Sequence, residues 1–288
     1  KQKTAYEIMP SLVGSEMCIR DSCITAGKNS KFGFWETDVV DGYRIALKAG
    51  VEKFGIHMHI GSGILEVEPF ILAIKKLLTI AKKVHEETGI TFELINIGGG
   101  LGIPYKPNEK ELDLTLFSKN VFGFLNRMVG EYGLGEPVLC IEPGRYIVGD
   151  AGILLTKVNT VKVTPYKKFV GVDAGFNMLI RPVMYGSYHH IVVANKLDYP
   201  VEETYDIVGP LCESGDFLAK DRRLPKIEEG DLLAVMDAGA YGYVMSSQYN
   251  SRPRGAEVLV MDGKHELIRK AETLEDLLLG QKIASWLT

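Results

Sequence analysis

The hydrophobic pattern of the chain changes once, near Asp150, and that change limits the folds that the sequence can adopt. Up to Gly149, segments rich in β-formers alternate with amphipathic helical segments. Such alternation predicts parallel strands joined by helical crossovers. After Gly149, short alternating runs are separated by glycine, proline and acidic turns. We therefore predict an α/β region over residues 24–150 and a β domain with a closing helix over residues 151–288.

Hydrophobic spacing predicts the elements of both regions. In the first, helices over residues 39–48, 66–87 and 112–132 alternate with strands over 52–60, 91–97 and 137–142. In the second, strands over 154–163, 168–172, 205–208, 232–236 and 257–261 precede a helix over 273–286. Thr37 and Asp38 are expected to cap the first helix, and Gly50 and Gly89 to follow the ends of the first two. The α/β pattern fits a β/α barrel or an open doubly wound sheet, and alone it does not separate them.

Residues 1–23 do not continue this pattern. They show no clear period, and the stretch 12–22 (LVGSEMCIRDS) resembles translated sequencing-adapter read-through. They also lack the continuous apolar core and the cleavage site of a targeting peptide. We expect residues 1–23 to be an artefactual segment outside the native fold.

Composition narrows the class of protein. The formal net charge is −4 with acidic and basic residues interspersed, so no basic tract predicts a nucleic-acid partner. The longest apolar runs, such as 138–141, are far too short to span a bilayer. The four cysteines match no zinc or disulfide spacing, which predicts reduced thiols in a cytoplasmic protein and no metal site.

Polar or glycine residues follow each predicted strand of the α/β region. His57 and His59 are followed by Gly-Ser-Gly, a glycine cluster begins at Gly98, and Glu142 precedes Arg145. The carboxyl ends of parallel strands carry the chemistry in both candidate folds. Two histidines at this spacing could bind a metal, form ordinary hydrogen bonds in the core or contribute to an anion site. The glycines and Ser62 that follow favour a site for an anion or a cofactor. The glycine cluster suits either a phosphate or an ordinary turn.

Three loops of the β region carry further polar groups in glycine- and proline-rich settings. They are RPVMYG from Arg181, GPLCESGD from Gly209 and DAGAYG from Asp237. Each alone is more typical of a structural turn than of a site. Taken in order, HIGSG, GGGLGIPY, EPGRY, RPVMYG, GPLCESGD, DAGAYG and SSQYNSRPRGAEV resemble the alanine-racemase-like decarboxylases that use pyridoxal phosphate (PLP). Within that family, the series is most similar to the enzymes acting on diaminopimelate.

The resemblance implies a β/α barrel, partial in this chain, followed by a β-sandwich-like domain, and it implies PLP as cofactor. His59 is expected to stack on the PLP ring and Glu142 to bond its pyridinium nitrogen, which helps the ring to act as an electron sink. The implied cofactor-binding residues are His59, Ser62, Gly98, Gly99, Gly100, Glu142, Gly144, Arg145 and Tyr241. The implied substrate-binding residues are Arg145, Arg181, Tyr185, Glu213 and Tyr241.

The resemblance also implies a homodimer, because the loop with Cys212 and Glu213 reaches the partner's site in the family. Cys212 is then the catalytic proton donor, and Glu213 binds the distal ammonium of the substrate. The expected reaction converts meso-2,6-diaminopimelate to L-lysine and CO2, the last step of lysine biosynthesis.

Two alternatives stay open. One is a related decarboxylase acting on ornithine, arginine or carboxynorspermidine. In such enzymes an aspartate near the loop cysteine binds the distal amine of the substrate, and Asp216 lies at a similar place in this sequence. The other is a non-catalytic PLP-binding homologue. The family's lysine motif, which forms the Schiff base with PLP, has no match in this sequence. We therefore expect this chain alone to be inactive.

Overall fold

A computed structural model describes residues 11–12, by their backbone alone, and residues 32–287. The chain divides into two compact units, which meet in sequence at Val148 and Gly149. Residues 1–148 are called unit 1 below, and residues 149–288 unit 2. Of the expected artefactual segment, only Ser11 and Leu12 are described.

Unit 1 contains a parallel sheet in the order β1-β2-β3-β4. Its strands are β1 (Ser11–Leu12), β2 (Gly55–Met58), β3 (Leu94–Asn96) and β4 (Val138–Cys140). Its helices are α1 (Val39–Lys48), α2 (Glu68–Thr88), α3 (Leu114–Glu131) and the short α4 (Gly144–Val148). The predicted parallel pairing of β2, β3 and β4 is confirmed. His57, Asn96 and Cys140 are in register, so the segments that follow the three strands meet at one edge.

The core of unit 1 lies between this sheet and its helices. Helix α2 buries the apolar face that its spacing predicts, made of Phe70, Ile74, Leu77, Leu78 and Ala81. Each fully buried large side chain of this kind contributes roughly 1.5–3 kcal/mol. Gly89 follows α2 with φ +73° and Gly50 follows α1 with φ +82°, a left-handed conformation that glycine adopts without strain.

The prediction that Thr37 and Asp38 cap α1 is wrong, because neither side chain makes a capping hydrogen bond to the helix. Asp38 occupies the N-cap position, but its side chain makes no capping hydrogen bond. Instead, Thr37 Oγ1 donates to Asp38 Oδ1 at 2.7 Å. Asp38 also has helical rather than extended backbone angles, so its carboxylate is not aimed at the first N–H groups of the helix.

Unit 2 is built on a six-stranded sheet in the order β7-β10-β5-β6-β8-β9. Its strands are β5 (Leu154–Val163), β6 (Lys168–Val172), β7 (Ile191–Val193), β8 (Glu203–Val208), β9 (Phe217–Leu224) and β10 (Leu232–Val235). Only β6 and β8 pair in parallel. Strands β7 and β9, at opposite ends of this order, contact each other, so the sheet curves around one core.

The remaining elements of unit 2 are short. Helix α5 (Arg181–Tyr185) packs on β9, and β11 (Glu257–Met261) forms a hairpin with β12 (Lys264–Arg269). Helix α6 covers only Leu274–Leu277, so the predicted helix over 273–286 is wrong. Thr273 and Asp276 form a capping box at its start, but Gly280 has φ +82° and Trp286 is 82% exposed. Without a buried face, a short helix is not maintained.

Strand β9 was missed by the hydrophobic pattern because its centre is charged and irregular. Asp221 has φ +51°, and the pairing of β8 with β9 shifts register twice. Asp221 N donates to Asp206 Oδ1 at 2.8 Å. Lys167 Nζ bridges the two carboxylates at 2.7 Å and 3.1 Å. A bulge stabilised by these contacts interrupts the alternation by which strands are recognised.

Among the helices described, none is both long and apolar enough to cross a membrane.

Candidate active site

Asn96 connects the segments that follow strands β3 and β4. It is the last residue of β3 and is 7% exposed. Its Nδ2 donates to Glu142 Oε1 at 2.9 Å, and its Oδ1 accepts from Gly98 N at 2.8 Å. Sequence reasoning did not single out Asn96, although a polar residue that ends a β-rich segment just before a glycine cluster is a usable signal.

His59 joins the same cluster from the segment after β2. Its Nδ1 accepts a hydrogen bond from Gly99 N at 3.2 Å, so the ring proton of neutral His59 resides on Nε2. Burial lowers the pKa of His59, the Glu142 carboxylate acts in the opposite direction, and His57 adds to the lowering. The imidazole therefore favours its neutral form, which suits packing against a flat ring.

His57 lies beside Glu142 rather than in a metal cluster. Its Nε2 is 3.6 Å from Glu142 Oε1. That nitrogen is buried and has no hydrogen-bond partner among the described residues. No group of three potential ligands (His, Cys, Asp or Glu) suited to a metal occurs within the part of the chain that the structure describes. A buried ring nitrogen without a partner is a position where a bound group can supply one.

The glycine cluster after β3 allows three loop backbones to approach one another. A Cβ atom on Gly98 would lie 2.4 Å from Met58 O, and one on Gly99 would lie 2.2 Å from Glu142 O. At Gly100 the corresponding distance to Gly61 O is 2.6 Å. These glycines are therefore required by packing as well as being suited to a phosphate, a second role that their sequence did not reveal.

Arg145 extends this cluster to Ser62. It lies on α4, which begins at Gly144, and is 5% exposed. Its Nε and a terminal nitrogen donate to Ser62 Oγ at 3.1 Å and 3.0 Å, and the other terminal nitrogen donates to the Tyr105 hydroxyl. The structure thus brings together every unit 1 residue that the sequence proposed, and it adds Asn96 and Tyr105.

Arg181 and His189 form a buried pair in unit 2. Arg181 is 1% exposed and His189 is 0% exposed. Arg181 donates to His189 Nε2 at 2.7 Å, and His189 Nδ1 donates to Met236 O at 2.8 Å. The carbonyl fixes the tautomer, because Nε2 can accept from the guanidinium only when Nδ1 carries the proton. Met236 directly precedes the DAGAYG loop, so His189 connects two of the proposed motifs.

The other two residues proposed from these motifs are more accessible. Tyr185 ends α5 and is half-buried. Tyr241 is 43% exposed and has φ +58°. The DAGAYG loop is tight, since a Cβ on Gly242 would lie 2.1 Å from Ala238 O. Burial raises the pKa of Asp237 in this loop, with Asp150 contributing in the same direction.

The GPLCESGD loop is closed by the carboxylate of Asp216. Asp216 is 4% exposed, and its two oxygens accept from Phe176 N at 2.7 Å and Leu211 N at 2.8 Å. A Cβ on Gly209 would lie 2.3 Å from the same carboxylate. Cys212 and Glu213 are exposed, so the loop presents these two residues at its tip and keeps Asp216 inside.

Comparison with known proteins decides the family. The family model described as "Pyridoxal-dependent decarboxylase, C-terminal sheet domain" matches residues 22–239. The chain belongs to the pyridoxal-dependent decarboxylase family. The partial β/α barrel and the following β domain that the motifs implied are the fold of this family, and the barrel interpretation is confirmed over the open sheet.

Curated members of the decarboxylase family are similar over most of the chain. The diaminopimelate decarboxylase of Methanothermobacter thermautotrophicus is 58% identical over 91% of this chain and 61% of its own length. The Archaeoglobus fulgidus enzyme of the same name is 50% identical over 91% of this chain and 62% of its own length. The chain therefore spans about three-fifths of these relatives.

A solved structure shows the same fold. Diaminopimelate decarboxylase from M. jannaschii, in co-complex with L-lysine, aligns with a TM-score of 0.82 and 37% identity. The alignment covers 91% of this chain and 60% of that one.

The residues of unit 1 fit the cofactor that the family uses. Glycines that exclude any Cβ leave backbone free to approach a phosphate, and Arg145 and Ser62 add donors of the kind that phosphate oxygens accept. Glu142 is a carboxylate at a strand end, suited to a protonated ring nitrogen. His57 Nε2 is a buried polar atom that makes no hydrogen bond to any residue within 32–287. The donor set is consistent with pyridoxal phosphate.

Proposed function

We propose that the protein to which this chain belongs converts meso-2,6-diaminopimelate to L-lysine and CO2 with PLP as its cofactor. The observation that carries this proposal is the loop from Gly209 to Asp216. It presents a thiol and a carboxylate at its tip, Cys212 and Glu213, while the other carboxylate of the loop is buried. The similarity to diaminopimelate decarboxylases at 58% and 50% identity supports the same substrate.

The residues of unit 1 bind the cofactor in this proposal. His59 stacks on the ring, and Ser62 with Gly98, Gly99 and Gly100 surrounds the phosphate. Glu142 bonds the ring nitrogen, and the Asn96 amide that donates to its Oε1 keeps the carboxylate oriented. Gly144 and Arg145, the first two residues of α4, also bind the cofactor. Bound PLP supplies an electron sink that makes loss of CO2 feasible.

Cys212 supplies the proton that replaces the lost carboxylate. Its Sγ delivers that proton to the α-carbon of the substrate after CO2 departs. Glu213 recognises the distal ammonium of the substrate. Arg145, Arg181, Tyr185 and Tyr241 provide positive charge and hydroxyl groups for its carboxylates. The buried bond from Arg181 to His189 leaves the guanidinium with a fixed orientation.

A polyamine-type substrate is disfavoured by the position of Asp216. An aspartate that binds a distal amine must present its oxygens to the ligand. Here both oxygens already accept backbone N–H groups of the protein, from Phe176 and Leu211. Glu213, which directly follows Cys212, is the carboxylate that remains at the loop tip, and we expect it to favour diaminopimelate over ornithine, arginine or carboxynorspermidine.

The substrate is tested by measuring CO2 release in the full-length protein. We expect turnover with meso-diaminopimelate at least about tenfold above that with ornithine, arginine or carboxynorspermidine, the ratio that one lost ion-pair contact produces. Glu213→Gln is expected to raise KM for diaminopimelate, whereas exposed Glu229→Gln is not. Equal turnover of ornithine and diaminopimelate would contradict the substrate assignment, and no CO2 release from any of them would favour a non-catalytic homologue.

We also propose a cytoplasmic homodimer in which each subunit donates Cys212 and Glu213 to its partner's site. Mixing Cys212→Ala subunits with Glu142→Ala subunits tests this arrangement. In a statistical mixture, half of the dimers are hybrids with one intact site each, so about one quarter of wild-type activity should return. If both residues serve the site of their own subunit, the mixture stays inactive.

A further inference from the structure

Asn250 lies directly beside the proposed proton donor. Its Nδ2 donates a hydrogen bond to Cys212 Sγ at 3.3 Å. In this bond the sulfur is the acceptor, so the S–H proton of Cys212 is not used by it. The contact thus fixes the sulfur from one side and leaves its proton for another acceptor.

The backbone at Asn250 is held in an uncommon conformation. Asn250 has φ +56° and Ser251 has φ +54°, which is the left-handed region that side chains other than glycine rarely adopt. Asparagine tolerates this region better than most residues, but two consecutive non-glycine residues there still cost stability. An exposed amide–sulfur bond does not offset that cost by itself, so the conformation points to a role at the site.

Both partners of the bond are anchored to the same short segment. Phe176 N donates to Asp216, which closes the Cys212 loop. The Phe176 ring packs against Tyr249, whose centroid is 5.2 Å away and which directly precedes Asn250. The relative position of the sulfur and the amide is therefore determined by packed groups on both sides rather than by two independent loops.

We propose that Asn250 is a positioning residue for Cys212, and this inference rests on the proposed function of Cys212 as proton donor. When the thiol gives up its proton, the sulfur becomes negatively charged. A hydrogen bond from an amide N–H to a charged acceptor is stronger than one to a neutral acceptor. Asn250 therefore stabilises the sulfur at the moment of proton transfer and aims the S–H bond away from the loop.

The variants that test this role distinguish the effect of the Asn250 amide from the effect of its backbone conformation. Asn250→Gly removes the amide donor, and glycine accepts φ +56° without strain. Ser251→Gly is the matched control, because Ser251 has nearly the same φ but its side chain makes no hydrogen bond to Cys212. Asn250→Asp replaces the donor with an acceptor and adds negative charge beside the sulfur. Melting temperatures of the full-length holoenzyme variants verify that each one folds.

We expect Asn250→Gly to lower kcat for diaminopimelate between about 2-fold and 10-fold, the range of one hydrogen bond, with KM little changed. Asn250→Asp should lower kcat further, and Ser251→Gly should match the wild type. The solvent deuterium isotope effect on kcat should rise in Asn250→Gly, because proton delivery then limits turnover more strongly. A purely structural role would change melting temperature without raising this isotope effect.

The rate of iodoacetamide alkylation at Cys212, followed by peptide mass spectrometry, provides a readout that needs no turnover. The thiolate is the form that reacts, so loss of the amide donor should slow alkylation by a similar factor. The proposal is overturned if Asn250→Gly reacts at Cys212 as fast as Ser251→Gly. This comparison remains decisive even if the wild-type protein releases no CO2 from diaminopimelate, an outcome that contradicts the proposed function alone.

Discussion

The proposed cofactor residues of unit 1 and the proposed proton donor of unit 2 are held in place by different means. In unit 1, backbones from three loops meet so closely that Gly98, Gly99 and Gly100 leave no room for a Cβ atom. In unit 2, Cys212 is at the exposed tip of a loop that one buried carboxylate closes. The first arrangement is rigid because its atoms are close-packed, whereas the second depends on a few hydrogen bonds.

The comparison predicts that substitutions at the unit 1 glycines have the largest effects. Gly99→Ala places a Cβ 2.2 Å from Glu142 O, so the backbone must move, and we expect a loss of about 3 kcal/mol in the free energy of unfolding. PLP binding should fall with it. Gly123→Ala in α3 is the control, because nothing lies within 4 Å of its Cβ position, and helix propensity predicts a gain of up to about 1 kcal/mol. Equal stability of the two variants in urea unfolding would contradict close packing at Gly99.

Asp216→Asn should have the next largest effect. An asparagine offers one oxygen where two backbone donors, Phe176 N and Leu211 N, now bind two oxygens. One buried N–H then faces an amide NH2 group, which costs about 2 kcal/mol. Displacement of Cys212 should lower kcat while PLP binding is retained.

Exposed Asp198 is the matched control for Asp216. Asp198→Asn should change the free energy of unfolding by less than about 0.5 kcal/mol. If Asp216→Asn instead abolishes PLP binding at unchanged stability, the carboxylate acts on the cofactor site rather than on the loop.

A smaller effect is expected from the titration of His59. Its pKa is lowered in the folded protein, chiefly by burial, so the unfolded chain binds a proton at a higher pH than the folded one does. The stability contributed by neutral His59 is therefore present above the ordinary pKa of about 6.5 and decreases as pH falls below it. His59→Asn keeps an acceptor for Gly99 N and does not titrate. The difference in unfolding free energy between wild type and variant should thus change between pH 7.5 and 5.5, and a constant difference would contradict the assignment.

The smallest effect is expected at the Arg254–Glu272 pair of unit 2. Hydrogen bonds from the side chain and backbone of Arg254 lower the pKa of Glu272 to about 2. A carboxyl group with a lowered pKa contributes stability above its ordinary value of 4.5, and that stability is lost as pH falls toward about 2. Glu272→Gln should remove this part of the acid dependence in thermal unfolding. An unchanged acid profile in that variant would show that the pair is screened by solvent.

The sequence predicted elements well where one face is uniformly apolar. Helix α2 buries its predicted face, and β5, β6 and β11 have the predicted bounds. It missed β9, where a bulge at Asp221 interrupts the alternation, and it extended the last helix beyond Leu277, where no apolar face is buried. Hydrophobic periodicity reports which residues of an element are buried. Prediction from periodicity therefore fails where the buried face is interrupted or absent.

Within the candidate site, the sequence identified residues that we propose carry the chemistry, but it did not identify the residues that form hydrogen bonds to them. His59, Glu142, Cys212 and Glu213 belong to recognisable motifs, and the contacts of Asn96, Tyr105, His189 and Asn250 were missed. Each of these four residues makes at least one hydrogen bond to a partner far away in sequence, such as Tyr105 to Arg145 and Asn250 to Cys212. No local pattern encodes such pairs, because they depend on how the loops fold.

The central claim is that residues of unit 1 bind PLP and that Cys212 of unit 2 donates the proton. The most direct test is Cys212→Ala in the full-length protein. PLP binding and CO2 release from meso-diaminopimelate should be measured on the same preparation. Unit 1 should bind PLP as in the wild type, because none of its contacts change. Turnover should fall by at least about 100-fold, the usual contribution of a positioned proton donor. Wild-type turnover in this variant would contradict the account, since the proton would then come from another group.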